Sequence, residues 1–343
     1  MMDVSKRDLN NKEILFMSIK FFNYENLIKE SLENLGAKVD WYDERPHNNF
    51  YTKAAIRLKK SLIQYSITQY FMGLIEKLGK KKYDYFFLIK GETTPKFFIE
   101  FLKKNNPNIQ LIFYTWDSFD NNSAGLDILP LFDKKYSFDR EDAKKYNISF
   151  RPLFFASDYE EVGKKNRNEF EYDLCFIGTA HSDRYNVAEK VNMECSKSGL
   201  KMFTFYYSPS RALFELKKHF NNDFKIFDRD KISFKSLSHD EIIRLFEKSK
   251  AILDINHPNQ KGLTMRTFEA LGANCKLVTT NVDIKKYPFY KPENILVIDR
   301  NNPKINKDFF CIPFSPISSE MLQAMSLKGW CLEIFDISTQ TNW

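Results

Sequence analysis

Thr264, Arg266 and Glu269 stand close together in the run SKAILDINHPNQKGLTMRTFEALGANCKLVTTN, residues 249–281. An apolar segment stops there at a polar loop, a compact helix follows, and a second apolar segment begins. Thr264 is a favoured type for the cap of a helix over 265–272. The first turn of such a helix offers backbone N–H groups and partial positive charge to an anion. Arg266 adds a fixed guanidinium suited to phosphate. Glu269, three residues on, lies on the same side of the helix, and its carboxylate suits the two hydroxyls of a sugar. Together the three would hold a ribose and a diphosphate. The plainer alternative is an Arg266–Glu269 surface ion pair on an ordinary helix. Asn256 and His257 end the preceding strand and point to the same place, although His257 serves equally well as an ordinary loop histidine.

Two further stretches carry candidate chemistry. In FIGTAHSDRY, Gly178 ends an apolar strand, where a missing side chain lets backbone approach a diphosphate. His181, Ser182 and Arg184 follow where a helix begins. A plain strand-to-helix turn would look similar. In FYTWDSFDNN, residues 113–122, an apolar strand delivers Trp116, Asp117 and Asp120 at its carboxyl end. An aromatic ring beside a carboxylate suits a sugar, the ring stacking on its apolar face and the carboxylate taking a hydroxyl proton. Asp117 is the candidate general base and Glu92, ending the neighbouring strand in IKGETTP, the second choice. Trp116 and Asp120 are the candidate acceptor contacts. Asp117 as a helix cap or loop-ordering residue is the bland reading. FDRD, residues 227–230, has the letters of a metal-binding DxD but sits on no suitable turn, so no metal is expected.

These residues need strands that end together. KEILFMSIK reads as a first strand, followed by a helix closed at Gly36 and a strand over 37–42. Residues 52–82 are helical and basic. YDYFFLIKGE, IQLIFYTWD, LFDKKYSFD and ISFRPLFFA are extended pieces, with a helix opened by Pro95 between the first two. The polar stretch 157–172 reads as a linker. DLCFIGTA, LKMFTFYY, AILDIN, CKLVTTN and NILVID then give strands alternating with helices, one of them begun by a Ser238–Glu241 capping box. Such alternation predicts parallel sheets covered on both faces, with ligands beyond the carboxyl ends of the strands. The expected architecture is α/β: two Rossmann-like domains, 1–156 and 173–310, with a cleft between them. A C-terminal segment, 311–343, is expected to pack back on the first domain.

The run GLTMRTFEALGANCKLVTTN, preceded by LFEKSKAILDIN, resembles the donor-binding segment of GT-B-fold glycosyltransferases. The likeness is to the CgeB-like and the capsule or lipopolysaccharide enzymes, which carry FIG with a downstream arginine and an R-x-F-E helix. FIGTAHSDR (176–184) and RTFEALGA (266–273) match those patterns here, and FDKKYSFDREDAKKY (132–146) resembles the approach to their interdomain region. The resemblance covers roughly residues 80–300. It implies a nucleotide-sugar donor held by the second domain through Glu269, Arg266, Gly178, His181 and Arg184. It also implies an acceptor glycan on the first domain, and a leaving diphosphate neutralised by Arg184 and Arg266 rather than by a metal or cofactor.

Composition sets the remaining bounds. The 343 residues suit two domains, and the formal net charge of +7 fits an anionic partner as well as a solvated basic surface. No nucleic-acid motif is present. No segment reaches the ~18 apolar residues of a membrane span, and the N-terminus lacks a signal-peptide cleavage pattern. The scattered cysteines form no CxxC or zinc spacing. A cytoplasmic protein is expected, with the basic segment 52–82 available to an anionic membrane surface. A noncatalytic sugar- or nucleotide-binding protein and a sugar-nucleotide epimerase on the same two-domain fold are the alternatives.

Overall fold

A computed structural model describes residues 9–47, 60–180, 182–220, 224, 226–258 and 260–343. His181 and the basic residues Lys53, Arg57 and Lys59 lie outside the described residues. The chain forms two compact units, Met1–Pro152 with Leu327–Trp343, and Leu153–Ser326.

The first unit is built on a six-stranded sheet of β1 (Glu13–Ser18), β2 (Lys38–Asp43), β3 (Tyr85–Ile89), β4 (Gln110–Thr115), β5 (Lys134–Ser137) and β6 (Ser149–Phe150), in the order β2-β1-β3-β4-β5-β6. Every pairing is parallel. Ile14, Leu15, Phe16 and Met17 are all buried, because a parallel strand covered on both faces needs apolar side chains at successive positions. Leu15 and Met17 face a cluster completed by Ile67, Phe71 and Leu74 of the helix Gln64–Leu78 and by Phe98 and Leu102 of the helix Lys96–Asn105. Phe16 stacks on Phe87, and Phe87 meets Trp330 and Phe335. The helix Leu327–Ile334 that carries Trp330 comes from the C-terminal end of the chain and packs beside the helix Tyr24–Asn34. Gly36, at φ +95°, turns the chain out of Tyr24–Asn34 and into β2.

The second unit repeats the plan with β7 (Tyr172–Thr179), β8 (Met202–Tyr207), β9 (Ile232–Ser233), β10 (Ser249–Asp254), β11 (Lys276–Thr279) and β12 (Ile295–Val297), in the order β12-β11-β10-β7-β8-β9, again all parallel. The helix Arg184–Lys197 contributes Val187, Ala188 and Val191 to one face of this sheet. The Ser238–Glu241 capping box forms at the start of the helix His239–Glu247.

The polar stretch 157–172, read from sequence as a linker, is built into the second unit instead. Ser157–Lys164 is a helix whose Tyr159 and Val162 are buried, and it packs against the helices His239–Glu247 and Met265–Gly272. Gly163 permits that approach, since a Cβ there would lie 2.5 Å from the carbonyl oxygen of Gly272. Beyond it, Arg167 donates to the carbonyls of Phe246, Ala273 and Asn274 at 3.0, 2.5 and 3.2 Å. It thereby satisfies backbone acceptors that two helix ends leave open. Of the charges that make this segment look solvent-loving, Arg167 is spent on helix termini, while Lys164 pairs with Glu160 and Glu161 at the surface. Residues 311–326, assigned from sequence to the returning segment, also belong to the second unit, and the return to the first begins at Leu327.

Candidate functional site

Parallel strands bring the first polar residue after each of them to one edge of the sheet. In the second unit that edge holds a network around Asp254, the buried last residue of β10. Thr264 and Thr267 donate their hydroxyls to Asp254 Oδ2 at 2.8 and 2.9 Å. Thr264 occupies the cap position of the helix Met265–Gly272 in extended conformation, but its side chain makes no capping bond. The hydroxyl is turned to Asp254, a partner sequence reasoning did not anticipate. Burial pushes the Asp254 carboxyl above its ordinary value, opposed by the two hydroxyls and by the charges of Arg184 and Arg266.

Arg184 opens its helix at the end of the loop after β7. Burial holds its guanidinium below the usual arginine value; Asp254 and Asp183 oppose this, while the neighbouring charges of Arg300 and Arg266 add to it. Three guanidinium groups and two aspartates thus lie within reach of one another's charge. Arg300, just beyond β12, has its Nη1 2.8 Å from both carboxylate oxygens of Asp183. Its Nη2 donates to the carbonyl and side-chain oxygens of Asn256 at 2.6 and 2.7 Å. Asn256 also donates to the carbonyl of Gln260 at 2.7 Å, which shapes the loop after β10. Its amide is therefore committed to Arg300 and the loop. His257 is half-buried in that loop, and its carbonyl accepts the Gln260 N–H.

Glu269 and Arg266 form an ion pair at 2.7 Å, the plainer of the two sequence readings, though it is not at the surface. The Glu269 side chain is 5% exposed, Arg266 lies over the Phe246 ring at 5.2 Å, and the Tyr159 hydroxyl bonds to both groups. Gly178 lies inside β7 at its carboxyl end, where a Cβ would come within 2.6 Å of the Phe176 ring. Packing by itself accounts for that glycine.

The matching edge of the first unit holds a second network. Glu92 is buried and receives Arg45 at 2.6 Å from Nε and 2.5 Å from Nη2. Lys90 Nζ stands 3.5 Å from Glu92 Oε1 and 3.5 Å from Asp117 Oδ2, joining the two carboxylates named as candidate bases. Asp117 is the accessible one, 32% exposed against 5% for Glu92. Trp116, half-buried, lies 5.8 Å from the ring of Phe21, which follows β1 and is exposed. Asp120 stands apart, exposed and paired with Lys145 at 3.4 Å.

Of the residues named from sequence, Arg184, Asn256, Thr264 and Arg266 lie at the edge of the second sheet and Asp117 and Glu92 share the Lys90 network; Asp254, Arg300, Lys90 and Arg45 join these networks without having been named. The sequence carries a signal for two of them. Asp254 is a carboxylate in the apolar run AILDIN, and Arg300 is the first cation after NILVID. Among the described residues, no group of three or more His, Cys, Asp or Glu is placed to hold a metal ion. No helix of the described residues is long and apolar enough to cross a membrane.

Two all-parallel sheets, each with helices on its faces, are the Rossmann-like pair of the GT-B glycosyltransferase fold. Solved structures show the same fold. An alpha-glucosyltransferase in complex with UDP and a 13-mer DNA matches with a TM-score of 0.56 at 13% identity, over 97% of either chain. A glycosyltransferase from Rickettsia africae matches with a TM-score of 0.56 at 13% identity, over 97% of this chain and 100% of the other. Sucrose-phosphate synthase from Thermosynechococcus elongatus gives 0.55 at 10% identity, over 95% and 93%. No protein-family model and no curated protein sequence matches the chain.

Proposed function

We propose that this chain is a glycosyltransferase that moves a sugar from a nucleotide-activated donor to a hydroxyl of a surface glycan of the capsule or lipopolysaccharide kind. The observation that carries the reading is the convergence of Arg184, Arg266 and Arg300 at the carboxyl edge of the second sheet, in a chain with the fold of glycosyltransferases. Guanidinium groups gathered beside aspartates are preorganised to receive a diphosphate, whose oxygens can take over the bonds that Asp183 now accepts from Arg300. The second unit would take the donor and the first the acceptor. In the reaction the acceptor oxygen forms a bond to the anomeric carbon while that carbon's bond to the diphosphate breaks. The diphosphate leaves with the electron pair, steadied by the arginines, and Asp117 takes the acceptor hydroxyl's proton. A metal is not needed for this scheme. A cytoplasmic setting, with the basic segment 52–82 near an anionic membrane, would suit a lipid-linked acceptor.

Calorimetry with UDP, GDP and CMP, followed by their sugars, tests the donor site. Arg300→Met should weaken nucleoside-diphosphate binding by about 10-fold or more, in keeping with ~1.5–3 kcal/mol for a charged hydrogen bond, and the matching nucleoside much less. Equal losses for both ligands would remove the phosphate role. Product analysis separates the enzyme classes. A transferase releases free nucleoside diphosphate, an epimerase returns a nucleotide sugar, and a binding protein does neither.

A further inference from the structure

The strand ends of the first unit carry exposed aromatic rings that core packing does not explain. Phe21 and Phe22 lie in the turn between β1 and the helix Tyr24–Asn34, 41% and 66% exposed. Phe22 meets Phe21 edge-on, with ring centroids 4.8 Å apart. Phe21 in turn reaches Trp116, half-buried after β4, at 5.8 Å. Because β3 lies between β1 and β4, that ring pair spans the end of the strand that leads to Lys90. The Phe21 N–H donates to the buried carboxylate of Glu25 at 3.0 Å, which fixes the turn. Single exposed apolar side chains are ordinary, but contiguous ones with polar neighbours mark binding surfaces. Here exposed Lys20 and Asn23 flank the pair in the chain, and Asp117 follows Trp116.

The backbone of this turn is strained while it presents the ring. Phe22 has φ +50° and Asn23 φ +69°. Asparagine enters the left-handed region readily, whereas a bulky residue does so only where its surroundings enforce it. A turn that served only to join β1 to its helix would be better made with glycine or asparagine at position 22. Among the described residues, the left-handed positions held by anything other than Gly, Asn or Asp are Phe22, Lys90 at φ +87° and Ser182 at φ +51°. Each lies just beyond the carboxyl end of a strand, β1, β3 and β7 in turn. Backbone strain of this kind gathers at ligand-binding edges, and Phe22 and Lys90 belong to the edge that holds Trp116 and Asp117.

We propose that Phe21 and Phe22, together with Trp116, form an aromatic platform that seats one pyranose ring of the acceptor and turns its hydroxyls toward Asp117. A pyranose has an apolar face of C–H groups and a rim of hydroxyls. The aromatic rings suit the face, and the Asp117 carboxylate, 32% exposed, suits a hydroxyl of the rim. Lys20, Asn23 and Asn26 are all exposed around the same turn, and the Asn26 amide donates to the Asn23 side chain at 2.6 Å. Such polar neighbours favour a sugar over the apolar chain of a lipid. Calling that sugar the acceptor rests on the function proposed above; the stacking itself does not.

Saturation-transfer NMR on the full chain, without nucleotide or donor, tests the platform. The probes are the methyl glycosides of glucose, galactose, mannose and N-acetylglucosamine, with the aromatic protons of the protein irradiated. At least one probe should receive saturation mainly at the C–H protons of one ring face. In Phe22→Asn its apparent Kd should rise about 3-fold or more for the loss of one aromatic contact, while Tm holds or rises, because asparagine tolerates the left-handed turn. Phe21→Leu, which stays apolar but lacks the ring, should weaken binding to a similar degree and covers the case in which Phe22→Asn does not fold. No saturation of any probe, equal saturation of both ring faces, or an unchanged Kd in the variants overturns the proposal. Binding to vesicles bearing polyprenyl phosphate that falls in the variants while glycoside binding holds also overturns it, in favour of a lipid. Ring-dependent glycoside binding in a chain that turns over no nucleotide sugar would instead reject the proposed function and leave the platform standing. Turnover with an unchanged acceptor KM in both variants would do the reverse.

Discussion

The return of the chain to its first unit is secured by a buried ion pair, and breaking it should be costly in a way fluorescence can isolate. Arg151 Nε lies 2.6 Å from Glu333 Oε2, with the two side chains 0% and 3% exposed. The Trp343 ring covers the guanidinium at 4.7 Å, and Thr341 donates its hydroxyl to the same carboxylate. Burial drives the Arg151 guanidinium below its ordinary value, with Glu333 the largest opposing influence. Charges about 4 Å apart at an effective dielectric constant near 20 attract by about 4 kcal/mol. That agrees with the ~3–5 kcal/mol cost of stranding one member of a buried pair. Glu333→Gln should therefore destabilise the first unit by about 3–5 kcal/mol. Arg151→Met with Glu333→Leu should lose much less than the two single changes added together, because no charge is left stranded. The chain's 4 tryptophans, Trp41, Trp116, Trp330 and Trp343, all belong to the first unit. Urea unfolding followed by tryptophan emission therefore reports that unit alone, although the whole chain need not unfold in one step. A Glu333→Gln chain within ~0.5 kcal/mol of the parent, a typical surface effect, would refute the reasoning.

Two other expectations follow from the first unit. Burial holds the carboxyl of Glu44, the residue after β2, up from 4.5 to about 7, so the folded unit binds a proton that the unfolded chain has already lost. Stability should fall by roughly 3 kcal/mol as pH rises through that window; a Glu44→Gln profile that keeps the same slope between pH 4.5 and 7 would exclude Glu44 as its source. The helix Gln64–Leu78 and the turn before it expose Leu62, Tyr65 and Met72, and Lys80 is exposed just after the helix, while Lys81 is occupied by Glu13 and Asp40 and Lys82 donates to the Asn105 carbonyl. Cosedimentation with anionic vesicles should thus weaken with salt and drop further in Leu62→Gln with Tyr65→Gln, and a chain that stays in the supernatant at low salt has no membrane-facing role for this segment.

What the sequence made legible follows from how local each signal is. β1 could be read because burial on both faces demands an unbroken apolar run, and EILFMS supplies one. The helix Met265–Gly272 could be read because its cap residue and its apolar positions lie within one short segment. Gly36 and the Ser238–Glu241 box are likewise signals completed within a few residues. The stretch 157–172 defeated the same logic. Its charges look like those of a solvated linker, yet Arg167 finds its acceptors more than a hundred residues away at Ala273 and Asn274.

The candidate sites divide along the same line. Every parallel strand delivers its next polar residues to one edge, so the sequence alone points to Asp117, Glu92, Asn256 and Arg184 as residues at that edge. Which of them meet is decided by strand order, a long-range property. Because β10 lies between β7 and β11, Asp254 comes within reach of the Arg184 charge, and because β12 lies beyond β11, Arg300 reaches Asn256 and Asp183. Because β3 lies beside β4, Lys90 joins Glu92 to Asp117. Glu269 shows the consequence for function. Its spacing from Arg266 was equally good for a ligand and for an ion pair, and in the folded chain Tyr159, delivered by a helix far back in the sequence, closes over both. A donor could use that carboxylate only by displacing Arg266 from it, so the groups readiest to meet an incoming diphosphate are the arginines at the strand ends.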